Sequence, residues 1–148
     1  MIKVIALTFI LIITFVNFLF ADEYFLTLRY SSVNLRQGPS FDYPVKIFYK
    51  KKYLPILIQD TSDNFKKIKD HENNTGWIHR SQLSKKKAAL ALDNKLVIFK
   101  NATVFSKPLA VLEKGHLCLI SKCKGDWCKI KVERYTGWVK KKSLWGKF

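Results

Sequence analysis

An internal repeat is the feature that most restricts how this chain can fold. The letters TGWI at residues 75–78 recur as TGWV at 136–139, and Leu83 and Leu144 each follow the glycine by seven residues. The apolar pairs at 57–58 and 119–120 are 62 residues apart, whereas Trp77 and Trp138 are 61 residues apart. One copy therefore has one residue more than the other in the hairpin between these positions. We therefore predict two copies of one unit, at residues 28–84 and 95–148, joined by a linker at 85–94.

Each copy carries the signals of short β-strands. Leu54, Ile56 and Ile58 alternate with other residues, and turn-forming stretches at 38–40, 60–64 and 71–74 separate the apolar segments. Short strands without a helical period favour a small barrel, because closing a sheet removes its exposed edges. The linker has three lysines at 85–87 and small residues after them, which fit a strand or a helical turn equally well.

The stretch VNLRQGPS at 33–40 resembles the opening motif of bacterial SH3 (SH3b) domains, and its spacing to TGWI and Leu83 also fits. The second copy, with KCKGDWC at 122–128, resembles the second half of a small exported family of tandem SH3b proteins. The resemblance implies an all-β fold of two small SH3-like β-barrels in tandem, no catalysis, and binding in the cell envelope. The second copy lacks the Arg-x-Gly pattern of the opening motif, and its opening loop is about seven residues shorter.

Residues 1–21 are predicted to be a signal peptide. Lys3 provides a positive start, residues 4–20 form an apolar run with a single Asn, and Ala21 offers a small residue for cleavage. The mature protein is then expected to begin at Asp22 and to be periplasmic or secreted. An uncleaved membrane anchor is the alternative, because 17 residues approach the lower limit for crossing a bilayer.

The charge of the chain narrows its partners. Without Lys3, 26 basic residues stand against 11 acidic ones, a formal net charge of +15. An exported protein does not meet a genome, so we expect no nucleic-acid partner and instead a cell-wall polymer, an envelope protein or an anionic lipid surface. Residues 95–148 hold 13 basic and 3 acidic residues. A salt-sensitive basic patch is predicted there, unless these side chains are only a solvated face, at Lys129, Lys131, Lys140, Lys141 and Lys142.

Two of the three cysteines are predicted to form a disulfide. Aligning the repeats places Cys123 and Cys128 at positions 61 and 66 of the first copy, where Thr and Lys indicate a surface. A two-residue turn at Gly125 and Asp126 would set the cysteines opposite each other on paired strands, within disulfide range. Export to an oxidising compartment favours the bond, with two free thiols as the alternative.

The third cysteine, Cys118, aligns with Ile56 in the alternating apolar set and is predicted to be a core residue. Together with His116, the three cysteines could be read as a zinc set. Strand alternation puts position 123 on the opposite face from 116 and 118, and the tight spacing of a zinc knuckle is missing. We therefore expect neither a metal nor a cofactor.

Catalytic motifs do not emerge from the sequence. It contains no G-x-S-x-G, H-E-x-x-H or S-x-x-K pattern, and its acidic residues lie mostly in turns. The first expectation is therefore a non-catalytic exported module that contacts the bacterial cell wall, peptidoglycan above all. An adaptor that recognises an extended segment of an envelope protein is the alternative. A secreted effector that uses its basic face on host membranes or polyanions is a third.

A ligand groove is predicted in the first unit, between its long opening loop and Trp77. The loop carries Phe41 and Tyr43, and a turn-rich loop with exposed rings calls for burial or a partner. Arg36 is a candidate anion contact, and Trp138 is the repeat equivalent of Trp77. The alternative is that these rings are structural, with Trp77 packed into the barrel or against the second unit.

Overall fold

The computed structural model describes residues 22–148, so the predicted signal peptide lies outside the described part of the chain. Within that part the chain forms two seven-stranded antiparallel sheets connected in series. Its helices, two single 3₁₀ turns at Arg80–Gln82 and Lys141–Ser143, are too short to cross a membrane.

The first sheet contains residues from Tyr24 to Ser84 and has the strand order β3-β2-β6-β5-β4-β1-β7. Its long hairpins join β4 to β5 and β5 to β6, while β1 pairs with both β4 and the short last strand. The strands are β1 Tyr24–Leu28, β2 Val33–Arg36, β3 Val45–Tyr49, β4 Pro55–Ser62, β5 Phe65–Lys69, β6 Thr75–His79 and β7 Leu83–Ser84.

The second sheet repeats this arrangement strand for strand, with the order β10-β9-β13-β12-β11-β8-β14. A 3₁₀ turn precedes the last strand in both units. The all-β prediction of two tandem SH3-like units is therefore confirmed. The strands are β8 Ala88–Ala91, β9 Leu96–Phe99, β10 Pro108–Leu112, β11 Leu117–Lys124, β12 Trp127–Val132, β13 Tyr135–Lys140 and β14 Leu144–Gly146.

The one-residue difference between the repeats lies in the hairpin predicted to contain it. The β5–β6 turn is held by the buried carboxylate of Asp70, which accepts hydrogen bonds from the backbone N–H groups of Glu72 (2.9 Å) and Asn74 (2.8 Å). The Tyr49 hydroxyl (2.8 Å) and the Asn74 amide (3.0 Å) donate to the same carboxylate. The β12–β13 turn needs no such support, because Glu133 and Arg134 alone connect Val132 to Tyr135.

Burial works to raise the pKa of Asp70, but the hydrogen bonds that its carboxylate accepts outweigh burial and hold the pKa below its ordinary value. Burial, followed by the bond to Asp70, raises the pKa of Tyr49, so this hydroxyl stays protonated and remains a donor. The pair fixes the β5–β6 turn against β3.

The segment predicted as a linker, 85–94, contains strand β8, which is the first of the two structures that the sequence left open for it. In the second sheet β8 is paired on both sides, with β11 and with β14. The second unit thus begins before Lys95, and the first begins before Leu28 because β1 starts at Tyr24. Ala89 and Ala91 of β8 pack in the second core, whereas Leu90 packs with the core of the first unit. Burial on both faces removes the alternating pattern by which a half-buried strand is recognised.

The two units share a packed junction around Leu90. Trp145 of β14 packs against the first core, and its ring meets that of Phe25 edge-on at a centroid distance of 4.8 Å. Lys147 adds a hydrogen bond from its Nζ to the backbone oxygen of Phe25 at 3.2 Å. The second unit therefore completes the hydrophobic core of the first.

The disulfide between Cys123 and Cys128 is confirmed, and the two residues face each other across β11 and β12 at a Cα–Cα distance of 4.0 Å. Gly125, with φ of 55°, provides the left-handed turn conformation at the hairpin tip. The surface assignment of Cys128 was wrong. Its side chain is fully buried in the second core, while Cys123 packs against that core from its edge.

Cys118 is a core residue, as predicted, and its thiol donates to the backbone oxygen of Ala89 at 3.4 Å. Burial raises the pKa of this thiol to about 12. At about pH 8 only a fraction on the order of 10⁻⁴ would be thiolate, the form that reacts.

We expect native protein to resist alkylation at about pH 8, and unfolded, unreduced protein to expose a single thiol because Cys123 and Cys128 are linked. Intact mass after iodoacetamide treatment measures both results. A reduced, unfolded sample serves as the control and should take up three labels. Three labels without reductant would contradict the disulfide, and rapid labelling of native protein would contradict the burial of Cys118.

Candidate ligand grooves

An open groove lies in the second unit, whereas the sequence predicted the ligand groove in the first. Its volume is about 720 Å³, and it runs between the β9–β10 loop and the end of β13. Its lining residues come from that loop, the β11–β12 hairpin, the 3₁₀ turn and the C-terminus: Ala102, Thr103, Val104, Asp126, Trp127, Lys140, Lys141, Lys142 and Phe148.

This groove combines aromatic rings with a concentration of positive charge. The ammonium of Lys141 lies 5.0 Å from the ring centroid of Phe148, and Trp127 meets Phe99 edge-on at 5.8 Å. Lys141 is also fixed through its backbone, whose N–H donates to the carbonyl of Asp126 at 2.8 Å. Three lysines against one carboxylate favour an anionic ligand, and the rings offer an apolar surface beside that charge.

The first unit fills the corresponding place with its own opening loop. The ring of Phe41 lies 5.2 Å from that of Phe65 and 5.1 Å from that of His79. Phe65 occupies the repeat position of Trp127, and His79 that of Lys140, so Phe41 covers the surface that stays open in the second unit. The prediction that the second opening loop is about seven residues shorter was wrong, because residues 37–44 join β2 to β3 and residues 100–107 join β9 to β10, loops of equal length.

Arg36 holds this loop in place. Its Nη1 donates to the backbone oxygens of Phe41 (3.2 Å) and Tyr43 (2.9 Å), and its guanidinium lies 5.4 Å from the Phe41 ring centroid. The ring of Tyr43 rests on Gly38, where any Cβ would fall 2.5 Å from it. Arg36 and Gly38, both in the opening motif, thus shape the loop, and the anion contact suggested for Arg36 stays a prediction.

Phe41 and Tyr43 keep 60% and 46% of their surface exposed, so the two rings are held in place by the loop but remain accessible from solvent. Trp77 is half-buried on β6 and lines a separate polar cleft of about 330 Å³ with Lys46 and Lys67. Trp138 is its equivalent on β13, with the ammonium of Lys122 at 5.8 Å from its ring. Arg36 contacts Phe41 and Tyr43 and is the cross-strand partner of Trp77, so these four predicted residues are neighbours in the first unit, whereas Trp138 lies in the second. Their role in binding a ligand stays a prediction.

The predicted basic patch also divides in two. Lys140, Lys141 and Lys142 line the open groove, whereas Lys129 and Lys131 lie along β12 beside β13. Sequence reasoning did not place Trp127, Val104 and Phe148 in a site. The alignment of Trp127 with Phe65 was the available signal, because it puts an aromatic ring at the same barrel position in both units.

Comparison with known proteins identifies the repeated unit. The family model for the bacterial SH3 domain matches twice, at residues 29–85 and 93–146. No curated protein sequence matches the chain significantly.

Solved structures with a similar chain course include NlpC2 and NlpC1 from Trichomonas vaginalis, at 11% and 10% identity and TM-scores of 0.40 and 0.39. Each covers 85% of this chain, which spans 49% and 46% of theirs. An NlpC/P60 family protein from Bacillus cereus is 10% identical, with a TM-score of 0.37 and coverage of 82% of this chain and 56% of its own. This chain spans about half the length of those proteins. On its two family matches and two equivalent sheets, the chain belongs to the bacterial SH3 domain family.

Proposed function

We propose that this protein is an exported, non-catalytic module that binds the bacterial cell wall through the groove of its second unit. The observation that carries the proposal is the open, lysine-lined groove beside Trp127 and Phe148. Membership of a family of binding domains supports it. Peptidoglycan offers carboxylates on its peptides and apolar sugar faces on its glycan, which match ammonium groups and aromatic rings respectively.

Export rests on the predicted signal peptide at 1–21, and the Cys123–Cys128 disulfide supports it because such bonds persist in oxidising compartments. We place the mature protein in the periplasm or outside the cell.

The proposal of a non-catalytic role is supported by Cys118, whose burial raises the thiol pKa to about 12 and removes it as a nucleophile. Within residues 22–148, no group of His, Cys, Asp and Glu side chains is placed to hold a metal ion.

The exposed aromatic face of the first unit favours a second candidate function. Phe41 and Tyr43 present their rings to solvent on a loop that is fixed by Arg36. Rigid exposed rings bind extended peptide segments with little loss of conformational entropy. A role as an adaptor for an envelope protein would use this face rather than the lysine groove.

Capture of the mature chain on purified sacculi tests the proposed function. We expect binding at about 0.1 M salt that falls strongly at about 1 M, because exposed charge contacts are screened. Replacing Lys141 and Lys142 together by Ala should weaken binding about tenfold, since two such contacts at roughly 0.7 kcal/mol each amount to that factor.

The control variant replaces Lys85 and Lys87 by Ala, which removes the same charge from exposed positions between the units. It should bind nearly as wild type. Equal losses in both variants would show that net charge, not the groove, carries binding. Capture of envelope proteins but not sacculi, lost on Phe41→Ala, would favour the adaptor instead.

A further inference from the structure

The tip of the β9–β10 loop presents an apolar pair to solvent. Phe105 exposes 95% of its surface, the highest fraction among the large hydrophobic residues at 22–148, and its neighbour Val104 exposes 47%. Because its ring is almost fully exposed, Phe105 contributes almost no hydrophobic burial to the stability of the fold. Phe41, in the equivalent loop of the first unit, instead packs on two rings.

Local hydrogen bonds hold this loop in one shape. The backbone N–H of Lys100 donates to the oxygen of Lys107 at the base, at 2.9 Å. Within the loop, the N–H of Ser106 donates to the backbone oxygen of Thr103 (3.2 Å), and that of Phe105 to the Thr103 hydroxyl (3.3 Å). The apolar tip is therefore presented in an ordered conformation, which lowers the entropy lost on binding.

Lysines lie at the base of this loop and in the groove beside it. Lys100 and Lys107 form the base of the loop, and the lysines at 140–142 line the groove whose other wall contains Thr103 and Val104. Asp126 is the carboxylate among the groove residues. An exposed phenylalanine with lysines at the base of its loop and in the adjoining groove has the chemistry of a segment that enters the interfacial layer of an anionic membrane, with lysines at the headgroups and the ring below them.

We propose that the second unit docks on anionic phospholipid bilayers by inserting Phe105 and Val104, while Lys100, Lys107 and the groove lysines contact the headgroups. This activity goes beyond cell-wall binding, because Phe105 does not line the groove, whereas the groove lysines take part in both. An anionic membrane and an acidic protein would both complement the positive charge of the lysines. We favour the membrane, because its apolar interior accepts the ring of Phe105 anywhere, whereas a protein would need a pocket shaped for that ring.

Co-sedimentation of the mature chain with phospholipid vesicles tests this proposal. We expect binding to vesicles with about 30% phosphatidylglycerol and little binding to pure phosphatidylcholine, because lysines near an anionic surface contribute attraction. Phe105→Ser should weaken binding about tenfold, equivalent to about 1.4 kcal/mol of lost apolar burial. Phe105→Leu, which keeps an apolar side chain, should retain most of it.

Val111→Ser is the control, because Val111 is exposed on β10 of the same unit but lies outside the loop. It should leave vesicle binding unchanged. Undiminished binding of Phe105→Ser, or no binding of wild type to anionic vesicles, would overturn the proposal. The same variants are tested on sacculi, where Phe105→Ser should bind as wild type. Failure of the wild-type chain to bind sacculi would count against the wall-binding function alone, and its failure to bind anionic vesicles would count against membrane docking alone.

Discussion

Gly76→Ala is expected to lower the free energy of unfolding by about 3 kcal/mol, and Gly137→Ala by a similar amount. A Cβ at Gly76 would fall 2.6 Å from the backbone oxygen of Arg36 and 2.7 Å from Cγ of Leu35. At Gly137 it would meet the oxygen of Phe99 and Cγ2 of Ile98, each at 2.6 Å. Backbone cannot move aside as a side chain can, so each substitution pushes β2 from β6 or β9 from β13.

Urea unfolding measures this loss, with Gly125→Ala as the control. Gly125 has open space around its Cβ position and a φ of 55°, so alanine there costs only the backbone term of about 1 kcal/mol. A cost at Gly76 no larger than at Gly125 would show that β2 and β6 are not held as close as the structure places them. The glycine of the repeated Gly-Trp motif is thus required by strand contact, independently of any ligand.

Asp70→Ala is the second large effect, and we expect a loss of about 3 kcal/mol near neutral pH. The substitution leaves the buried hydroxyl of Tyr49 and the turn N–H groups of Glu72 and Asn74 without their shared acceptor. Tyr49→Phe is the control, since it removes one donor but keeps the bonds within the turn, and should cost about 1 kcal/mol.

The pH dependence gives a second measurement on Asp70. Because the folded-state pKa lies below the ordinary value, the ionised carboxylate stabilises the fold above the pKa of the unfolded chain, about 4. This contribution is lost as the pH falls through the lowered pKa of the folded state. The stability gap between wild type and Asp70→Ala should therefore narrow in acid, and a gap that stays constant with pH would contradict the assigned role.

The fold could be predicted well from the sequence because the residues that recur in the repeat make equivalent contacts in both units. The glycines at 76 and 137 are required by close strand approach, and the two-residue turn between Cys123 and Cys128 set the cysteines opposite each other and so predicted the disulfide. Strand β8 could not be distinguished from a helical turn in the sequence, because Leu90 packs in one core and its alanine neighbours pack in the other. A strand buried on both faces has no polar face to mark it.

The groove could not be predicted, because it depends on where a loop folds. The rings of the first opening loop suggested that the first unit would hold the ligand groove, yet Phe41 of that loop packs on Phe65 and His79 and covers the surface there. The loop of the second unit has the same length and leaves the equivalent surface beside Trp127 open. Whether such a loop lines an open groove or covers the surface with its own side chain depends on the path that the loop takes in the folded protein.

The packing of Leu90 and Trp145 into the first core has a consequence for any polymeric ligand. Units joined by a flexible tether can engage neighbouring repeats at many spacings, with an effective concentration set by the tether length. Here the separation and angle between the two units are set by side-chain packing. A polymer that contacts both units must present its repeats at that one spacing, so this junction makes the period of the ligand itself a determinant of binding.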